Sequence, residues 1–284
     1  MNLECTGDLG TLRRRTAAWR RAGERIGFVP TMGNLHEGHL ALVDRARTLA
    51  DRVVASVFVN PLQFGPDEDY DTYPRTLEAD RQRLAERGAD LLFAPDVGVM
   101  YPRPKEETTF VEVPGLSGEL CGASRPGFFR GVTTVVARLF HLVQPDVAVF
   151  GEKDYQQLVI VRRMVEDLAF PVEIVGVPTV READGLAMSS RNSYLSAEER
   201  RRAPRLYQIL REVAQALEGG DSGYAELEAE ACRRLAAAGF RPDYVAIRRA
   251  GDLAAPAPGE RELRVLGAAW LGRARLIDNL PAQR

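Results

Sequence analysis

Two histidines stand close together in a chain that contains three. His36 and His39 belong to the stretch FVPTMGNLHEGH, residues 28–39. This stretch begins as a short apolar strand over residues 26–29, which we expect to end at Pro30. It continues through a turn of small residues into a helix that begins near the histidines. Because the two histidines are three residues apart, their rings would share one face of that helix.

Three interpretations of this histidine pair are open. An average pair of this kind is exposed or caps a helix. A metal pair would normally use an i, i+4 spacing and a third ligand, whereas Cys5, Cys121 and Cys232 are scattered and His141 lies in an apolar run. A strand, a turn and a helix N-terminus form a common anion site, in which free backbone N–H groups and the helix dipole face phosphate. We therefore favour phosphate recognition and predict no metal site in the protein.

Composition limits the classes of protein to consider. A chain of 284 residues with a formal charge of −2 has room for two domains and no global basic field for nucleic acid. No apolar run approaches the roughly 18–20 residues that span a bilayer. The N-terminal segment lacks the basic start and apolar core of a secretory signal, and the dispersed cysteines do not suggest a disulfide framework. We expect a cytoplasmic protein without nucleic-acid or membrane partners.

Hydrophobic patterning predicts the elements that position the histidines. After the first strand, four apolar runs alternate with helical patterns, which indicates a Rossmann-like, doubly wound parallel sheet of the α/β class. The four runs are residues 53–59, 90–93, 147–150 and 172–177. Helices are expected at 9–25, 76–87, 132–143, 156–168, 197–216 and 224–238, an extended piece at 108–113, and short late strands at 244–248, 264–271 and 273–278. We predict a nucleotide- and substrate-binding domain over 1–178 and a smaller C-terminal α+β lid domain over 179–284.

Ligands of such a sheet bind outside the carboxyl ends of the strands. By that rule the loops at 30–36 and 60–65 face the same cleft. Gln63 lies in the second loop between two apolar residues. Its amide offers both a donor and an acceptor, which suits a hydroxy acid.

Lysine is rare in this chain, and this singles out Lys153. Lys105 and Lys153 are the two lysines among 38 lysines and arginines. A lysine in such a chain indicates a site that needs a compact ammonium group instead of the planar guanidinium group of arginine. Lys105 lies in a Pro-bounded loop and should be solvated. Lys153 follows a predicted buried strand and can meet nucleotide phosphates, although a surface ion pair with Glu152 and Asp154 is the alternative interpretation.

A fourth segment, DGLAMSSRNSYLS, spans residues 184–196. It combines small hydroxyl residues with an arginine after a glycine, which is typical of a mobile loop that closes on phosphate. Part of it has a second interpretation, because Ser196 and Glu199 match a capping box for the next helix.

Several of these strings together resemble one family. HxGH is similar to the motif of the nucleotidylyltransferase superfamily, and PTMGNLHEGH resembles its pantoate–β-alanine ligase (pantothenate synthetase) family. The resemblance extends over residues 28–279 and includes PLQF, GEKD, QQL, SSRN and AAWLGRARLIDN. SSRN stands where the superfamily has KMSKS, with Ala187 and Arg191 at its two lysine positions. One departure is Phe128, where the family usually has His.

The resemblance implies an activity. An enzyme of this family condenses (R)-pantoate with β-alanine through a pantoyl adenylate, while ATP is converted to AMP and pyrophosphate. It implies ATP as a substrate, Mg²⁺ bridging the phosphates, and a homodimer.

The resemblance also implies roles for individual residues. Gln63 would bind pantoate and β-alanine, and Gln157 would bind pantoate. The catalytic residues would be His36, His39, Lys153 and Arg191, with proton donation by His39. The further contacts to ATP would be Met32, Gly33, Asn34, Leu35, Glu37, Gly38, Gly151, Glu152, Asp154, Val180, Met188, Ser189 and Ser190.

Two other functions remain as alternatives. Another HxGH nucleotidylyltransferase, acting on a phosphorylated acceptor, would keep the histidines but would need additional cationic residues in place of the two glutamines. An RNA-binding relative of a synthetase fold would need a basic face, which the net charge of −2 does not favour.

Overall fold

In the computed structural model, residues 3–66 and 68–284 are described, and part of the N-terminal segment that argued against a secretory signal lies outside them. The chain divides into two compact units. Unit 1 is Met1–Glu152 with Ile160–Pro178, and unit 2 is Lys153–Val159 with Thr179–Arg284. The segment that carries Lys153 thus groups with the later part of the chain. The functional division after residue 178 stays a prediction.

Unit 1 is built on a parallel sheet of six strands in the order β1-β4-β3-β2-β5-β6. The strands are β1 (Glu4–Thr6), β2 (Ile26–Thr31), β3 (Arg52–Val57), β4 (Leu91–Phe93), β5 (Val147–Gly151) and β6 (Glu173–Val177). The strand order changes direction between β2 and β5, which is the topological switch point of a doubly wound sheet. This confirms the predicted fold class and directs attention to the loops after β2 and β5.

Helices connect these strands. They are α1 (Leu9–Arg21), α2 (Glu37–Arg47), α3 (Leu77–Glu86), α4 (Val97–Met100), α5 (Cys121–Ser124), α6 (Phe128–Val143) and α7 (Tyr155–Asp167), whose first turn belongs to unit 2. Short 3₁₀ turns lie at Pro61–Gln63, Lys105–Glu107, Leu116–Gly118 and Glu152–Asp154. The core of unit 1 packs apolar residues of α2 and α3 against the central strands. Among the described residues, no helix is long and apolar enough to cross a membrane.

Strand β2 does not end at Pro30 as predicted, but continues to Thr31. Strand β5 pairs with β2 only at Gly27 and Phe28, so at Pro30 the strand has a partner on one side, β3. A proline, which has no N–H to donate, is tolerated at such a position.

Two short segments also differ from the predictions. Strand β1, which pairs with β4, was not predicted, because three residues leave no periodic pattern. The extended piece at 108–113 forms no strand. Its Val111 N–H donates to Thr134 Oγ1 at 3.0 Å, and its carbonyl accepts from Thr133 Oγ1. Hydroxyl groups of α6 therefore make the hydrogen bonds to Val111 that a neighbouring strand would make in a sheet.

Unit 2 is a small α+β unit. It contains α8 (Ala197–Arg202), α9 (Arg205–Glu218), α10 (Tyr224–Ala237) and an antiparallel sheet of β7 (Arg241–Arg249), β8 (Glu262–Leu271) and β9 (Ala274–Gln283). The predicted helix at 197–216 is divided at Pro204, whose ring and missing N–H end the hydrogen-bond ladder. Helix α9 packs closely on β8, because a Cβ at Gly267 would lie 2.9 Å from Leu210 Cδ2.

Candidate active site

The turn after β2 is shaped by a buried carboxylate from α3. Asp80 is 1% exposed and accepts hydrogen bonds from Asn34 N at 2.9 Å and Leu35 N at 2.8 Å. Gly33 and Asn34 have φ values of 84° and 50°, and a Cβ at Gly33 would lie 3.0 Å from Asp80 Oδ2. At residue 33, both the positive φ and the limited space favour glycine over any residue with a Cβ. Arg83 of α3 also donates to the Leu35 carbonyl.

The two histidines form a capping box at the start of α2. His36 is the N-cap, and its Nδ1 accepts a hydrogen bond from Gly38 N at 3.1 Å. His39, the third helical residue, accepts from His36 N through its own Nδ1 at 3.3 Å. The ring centroids are 4.1 Å apart. This is the reciprocal arrangement usually made by Ser or Thr with Glu or Gln, so capping, one of the three interpretations of the pair, is correct.

The capping box engages backbone donors that were expected to face phosphate. Five backbone N–H groups of the turn donate within the protein: those of Gly33, Asn34, Leu35, His36 and Gly38. The expectation of free backbone donors is therefore wrong for these five. A neutral ring whose Nδ1 accepts a hydrogen bond carries its proton on Nε2. Both histidines accordingly carry their proton on Nε2, which the two capping bonds do not use.

Gln63 lies in the loop after β3, at the end of the 3₁₀ turn Pro61–Gln63. It is 8% exposed, and its Oε1 accepts a hydrogen bond from Asn60 Nδ2 at 2.8 Å. The amide oxygen is thus engaged by the protein. This bond leaves the amide nitrogen and the second lone pair of the oxygen for a ligand, so the expectation that both ends of the amide suit a hydroxy acid stays a prediction.

Phe128, the departure from the family pattern, packs against an arginine beside Gln63. The Arg125 guanidinium lies 3.7 Å from the centroid of the Phe128 ring. Arg125 also donates to the Gln63 carbonyl at 3.1 Å and to Glu68 at 2.7 Å and 2.5 Å. An aromatic face at residue 128 therefore supports the arginine that holds the backbone of Gln63.

The carboxyl end of β5 lies beside β2 in the sheet of unit 1. Gly151 ends this strand, and a Cβ added to it would lie 4.0 Å from Leu42 Cδ2 of α2. The HxGH helix and the end of β5 thus meet at the switch point, where this class of sheet binds its ligands.

In unit 2, the backbone of Lys153 is anchored to the last strand. The Lys153 carbonyl accepts a hydrogen bond from Asn279 Nδ2 at 2.8 Å, and Asn279 Oδ1 accepts from Arg264 Nε at 2.6 Å. The buried Arg264 guanidinium lies 3.9 Å from the ring centroid of Tyr155. The side chain of Lys153 is 20% exposed and 3.7 Å from Asp154. This exposure does not fit a freely solvated surface ion pair.

The segment after β6 forms a small hairpin in unit 2. Met188 N donates to the Val180 carbonyl at 3.0 Å. Arg181 holds the base of the hairpin through bonds of 2.6 Å and 3.0 Å to Asp278. Burial raises the pKa of the Asp278 carboxyl, and the bonds from Arg181 act in the opposite direction. The capping box of Ser196 with Glu199 is confirmed.

A small, partly open cavity lies within unit 2. Its polar lining consists of Lys153, Ser189, Asn192, Tyr207 and Asp278. Asn192 Nδ2 donates to the Ala187 carbonyl at 3.1 Å, while its Oδ1 is buried without a hydrogen-bond partner among the described residues. A ligand that donates a hydrogen bond would satisfy this oxygen.

The structure groups the predicted site residues into local sets. One continuous turn in unit 1 carries Met32, Gly33, Asn34, Leu35, His36, Glu37, Gly38 and His39. Gly151 ends β5, Glu152 follows it, and Gln63 follows β3. In unit 2, Lys153 and Ser189 line the cavity, and Val180 pairs with Met188. Outside the cavity lining are Asp154, Gln157, Ser190 and Arg191.

Four supporting residues were missed by the sequence analysis: Asn60, Asp80, Arg264 and Asn279. Each is a buried polar residue whose partner lies in another element. For Asn60, Arg264 and Asn279 the one local signal is a polar residue beside apolar ones, whereas Asp80 lies in a polar helix and leaves no such signal. That signal does not identify a partner distant in sequence.

Comparison with known proteins connects this geometry to one family. The family model of pantoate-β-alanine ligase matches residues 5–281. A pantothenate synthetase of Halorhodospira halophila is 60% identical over 273 residues, which cover 96% of each chain. A crystal structure of pantothenate synthetase from Thermus thermophilus has a TM-score of 0.90 at 55% identity, covering 98% of this chain and 99% of that one.

A more distant relative extends the comparison. The pantoate-β-alanine ligase of Francisella tularensis, in complex with β-γ ATP and β-alanine, has a TM-score of 0.82 at 33% identity. The match covers 98% of this chain and 97% of the relative's chain. Both units of the chain are therefore included in the similarity. The chain belongs to the pantoate–β-alanine ligase family, enzymes that join pantoate to β-alanine.

Proposed function

We propose that this ligase works in two steps through a pantoyl adenylate. In the first step a carboxylate oxygen of pantoate attacks the α-phosphorus of ATP, and the bond from that phosphorus to the bridging oxygen breaks to release pyrophosphate. In the second step the amine of β-alanine attacks the acyl carbon, AMP leaves, and the amine loses a proton. The family match over residues 5–281 carries the proposal. Activation is required because a free carboxylate has no good leaving group.

The histidine pair would stabilise the charge that develops on the phosphates during adenylation. Its capping bonds hold both Nδ1 atoms, so the Nε2–H donors of His36 and His39 are oriented before ATP binds. Preorganised donors are effective because they need no rearrangement at the moment of reaction. Lys153 and Arg191 would add positive charge, and His39 would be the proton donor.

The two glutamines would hold pantoate with its carboxylate towards the α-phosphorus. Gln63 can donate from its amide nitrogen because its oxygen is bound by Asn60. Gln157 lies in the first turn of α7, directly after the lysine loop in the chain. Correct orientation of the attacking group accounts for a large part of the rate of such a step. The complex of the Francisella tularensis relative supports ATP and β-alanine as the other two substrates.

Mg²⁺ is proposed as the companion of ATP. No group of three or more His, Cys, Asp or Glu residues suited to a metal occurs in residues 3–66 and 68–284. Mg²⁺ in nucleotide enzymes keeps several waters and binds substrate phosphates with one or two carboxylates, so it needs no such group. The ion would neutralise phosphate charge, and we assign it no ligand residue.

Two further properties are proposed, the first from the family resemblance and the second from the composition of the sequence. The protein would be a homodimer, and it would reside in the cytoplasm. Light scattering coupled to size-exclusion chromatography tests the first, and fractionation of the source cells tests the second.

The first step predicts pyrophosphate exchange without the amine. Pantoate and ATP, with no β-alanine present, should exchange labelled pyrophosphate into ATP. Gln63→Ala and Gln157→Ala should lower this exchange while ATP binding stays nearly intact, because both residues act on pantoate. Exposed Gln82, which bonds to Glu86 on α3, provides the control Gln82→Ala, with unchanged exchange.

The same assay separates the alternatives. Exchange that requires β-alanine would contradict a free adenylate intermediate. Exchange supported equally well by a phosphorylated acceptor that lacks a carboxylate would reject the ligase in favour of another nucleotidylyltransferase.

Phe128→Ala should weaken the use of pantoate, because it removes the aromatic face beneath Arg125. A cation–π contact contributes about 0.5–2 kcal/mol, so we expect a rise in the KM for pantoate of about two- to thirtyfold. Phe128→His keeps a ring and should have a smaller effect. Steady-state kinetics with pantoate varied at saturating ATP gives the measurement.

A matched control exists in the same unit. Arg130 lies 4.7 Å from the ring centroid of Phe110, and no hydrogen bond links that pair to Gln63 among the described residues. Phe110→Ala should leave the KM for pantoate unchanged. Equal effects of Phe110→Ala and Phe128→Ala would reject a specific role for residue 128.

A further inference from the structure

Asn60 has a single possible orientation in the described structure. Its side chain is fully buried, and Leu62 N lies 3.2 Å from one end of its amide, while the Gly131 carbonyl lies 3.1 Å from the other. A backbone N–H only donates and a carbonyl only accepts. The first end is therefore Oδ1, and the second is Nδ2.

The orientation of Asn60 determines the orientation of its neighbours. Gln63 meets the Nδ2 end at 2.8 Å, so its contacting atom is the oxygen Oε1. Tyr101 meets the Oδ1 end at 2.9 Å, so its hydroxyl donates. Burial raises the pKa of Tyr101 well above its ordinary value, which keeps this phenol protonated and able to donate. Hydrogen bonds thus run from Tyr101 through Asn60 to Gln63.

Tyr101 is itself held in place. It directly follows α4, and its N–H bonds to the Val97 carbonyl. Arg138 of α6 donates to the Val99 carbonyl at 3.1 Å in the same short helix. The tyrosine hydroxyl is therefore a fixed group that can restrain a partner.

We propose that Tyr101 is a positioning residue for pantoate: its hydroxyl, acting through Asn60, holds the Gln63 amide with the nitrogen end towards the substrate. The inference rests on the proposed binding of pantoate by Gln63. Without the hydroxyl, Asn60 Oδ1 keeps only the longer bond from Leu62 N, and Asn60 holds Gln63 less firmly. Tyr101 does not contact the reacting atoms in this proposal.

Tyr101→Phe tests the proposal because it removes one oxygen and keeps the ring. Loss of a single hydrogen bond corresponds to roughly a three- to tenfold effect, which we expect as a rise in the KM for pantoate with an unchanged KM for ATP. Tyr224→Phe is the matched control, since it removes a hydroxyl bonded to Arg284 in unit 2. It should leave both KM values unchanged.

A double-mutant cycle with Gln63→Ala decides whether the effect passes through Gln63. In the Gln63→Ala background, Tyr101→Phe should have no further effect on the KM for pantoate. Additive effects, or equal rises in the KM values for pantoate and ATP, would overturn the proposal. If the unmodified enzyme did not use pantoate at all, the proposed function would fail instead, so the two failures are distinguishable.

Discussion

His39→Ala is expected to lower turnover by about 10²–10⁴-fold, because it removes a donor and a proton source from the adenylation step. The affinity for ATP should change less, since an interaction made mainly in the transition state adds little to the binding of the substrate. The variant also loses the bond between His39 Nδ1 and His36 N, which should lower the free energy of unfolding by about 0.5–1.5 kcal/mol. Single-turnover kinetics, calorimetric titration with ATP and chemical denaturation measure the three quantities separately.

His39→Gln separates chemistry from capping. Glutamine at this position is a standard partner of a capping box, so the variant should recover the unfolding free energy while turnover stays low. Recovery of both stability and turnover would mean that residue 39 only caps α2, and the role of the imidazole in adenylation would then be wrong.

Lys153→Arg is expected to lower the rate of pyrophosphate exchange at least about tenfold, and Lys153→Ala about 10²–10³-fold, as for loss of a transition-state donor. A guanidinium fork is broader than an ammonium group, and residue 153 lies in a lined cavity with its carbonyl held by Asn279. Arginine is the basic residue at almost every other position of this chain. A loss of activity in Lys153→Arg would therefore show that this position needs lysine specifically.

Lys105→Arg is the matched control from the same chain. Lys105 is exposed in a short 3₁₀ turn, and its replacement should leave exchange and stability unchanged. Small and equal effects at the two lysines would return Lys153 to the role of a surface ion-pair residue.

The strand, turn and helix around HxGH could be predicted because their causes are local. An apolar run, small turn residues and helical spacing lie within one short stretch, and the family strings add the chemistry. The sequence allowed a capping role for the histidines but could not establish it, because the same spacing is compatible with a helix cap, a metal pair or a phosphate site. Capping could be established only from the distance between each Nδ1 atom and a backbone N–H.

Other parts of the site could not be predicted, because their causes are distant in sequence. Asp80 shapes a turn 45 residues before it, and a single sequence contains no pattern that links the two. The broken helix at Pro204 shows a different failure. A proline inside a helical pattern indicates a break, but the apolar residues keep their helical spacing on both sides of Pro204, and this spacing predicts one continuous helix.

The bond between Asn279 and the Lys153 carbonyl has a consequence for protein synthesis. The two residues are 126 positions apart, and translation at about 5–20 residues per second needs roughly 6–25 s to cover that distance. Once residue 177 has been added, the whole parallel sheet has been made, while the lysine loop still lacks its anchor. A polypeptide that ends before Asn279 therefore carries a complete parallel sheet without an anchored lysine loop.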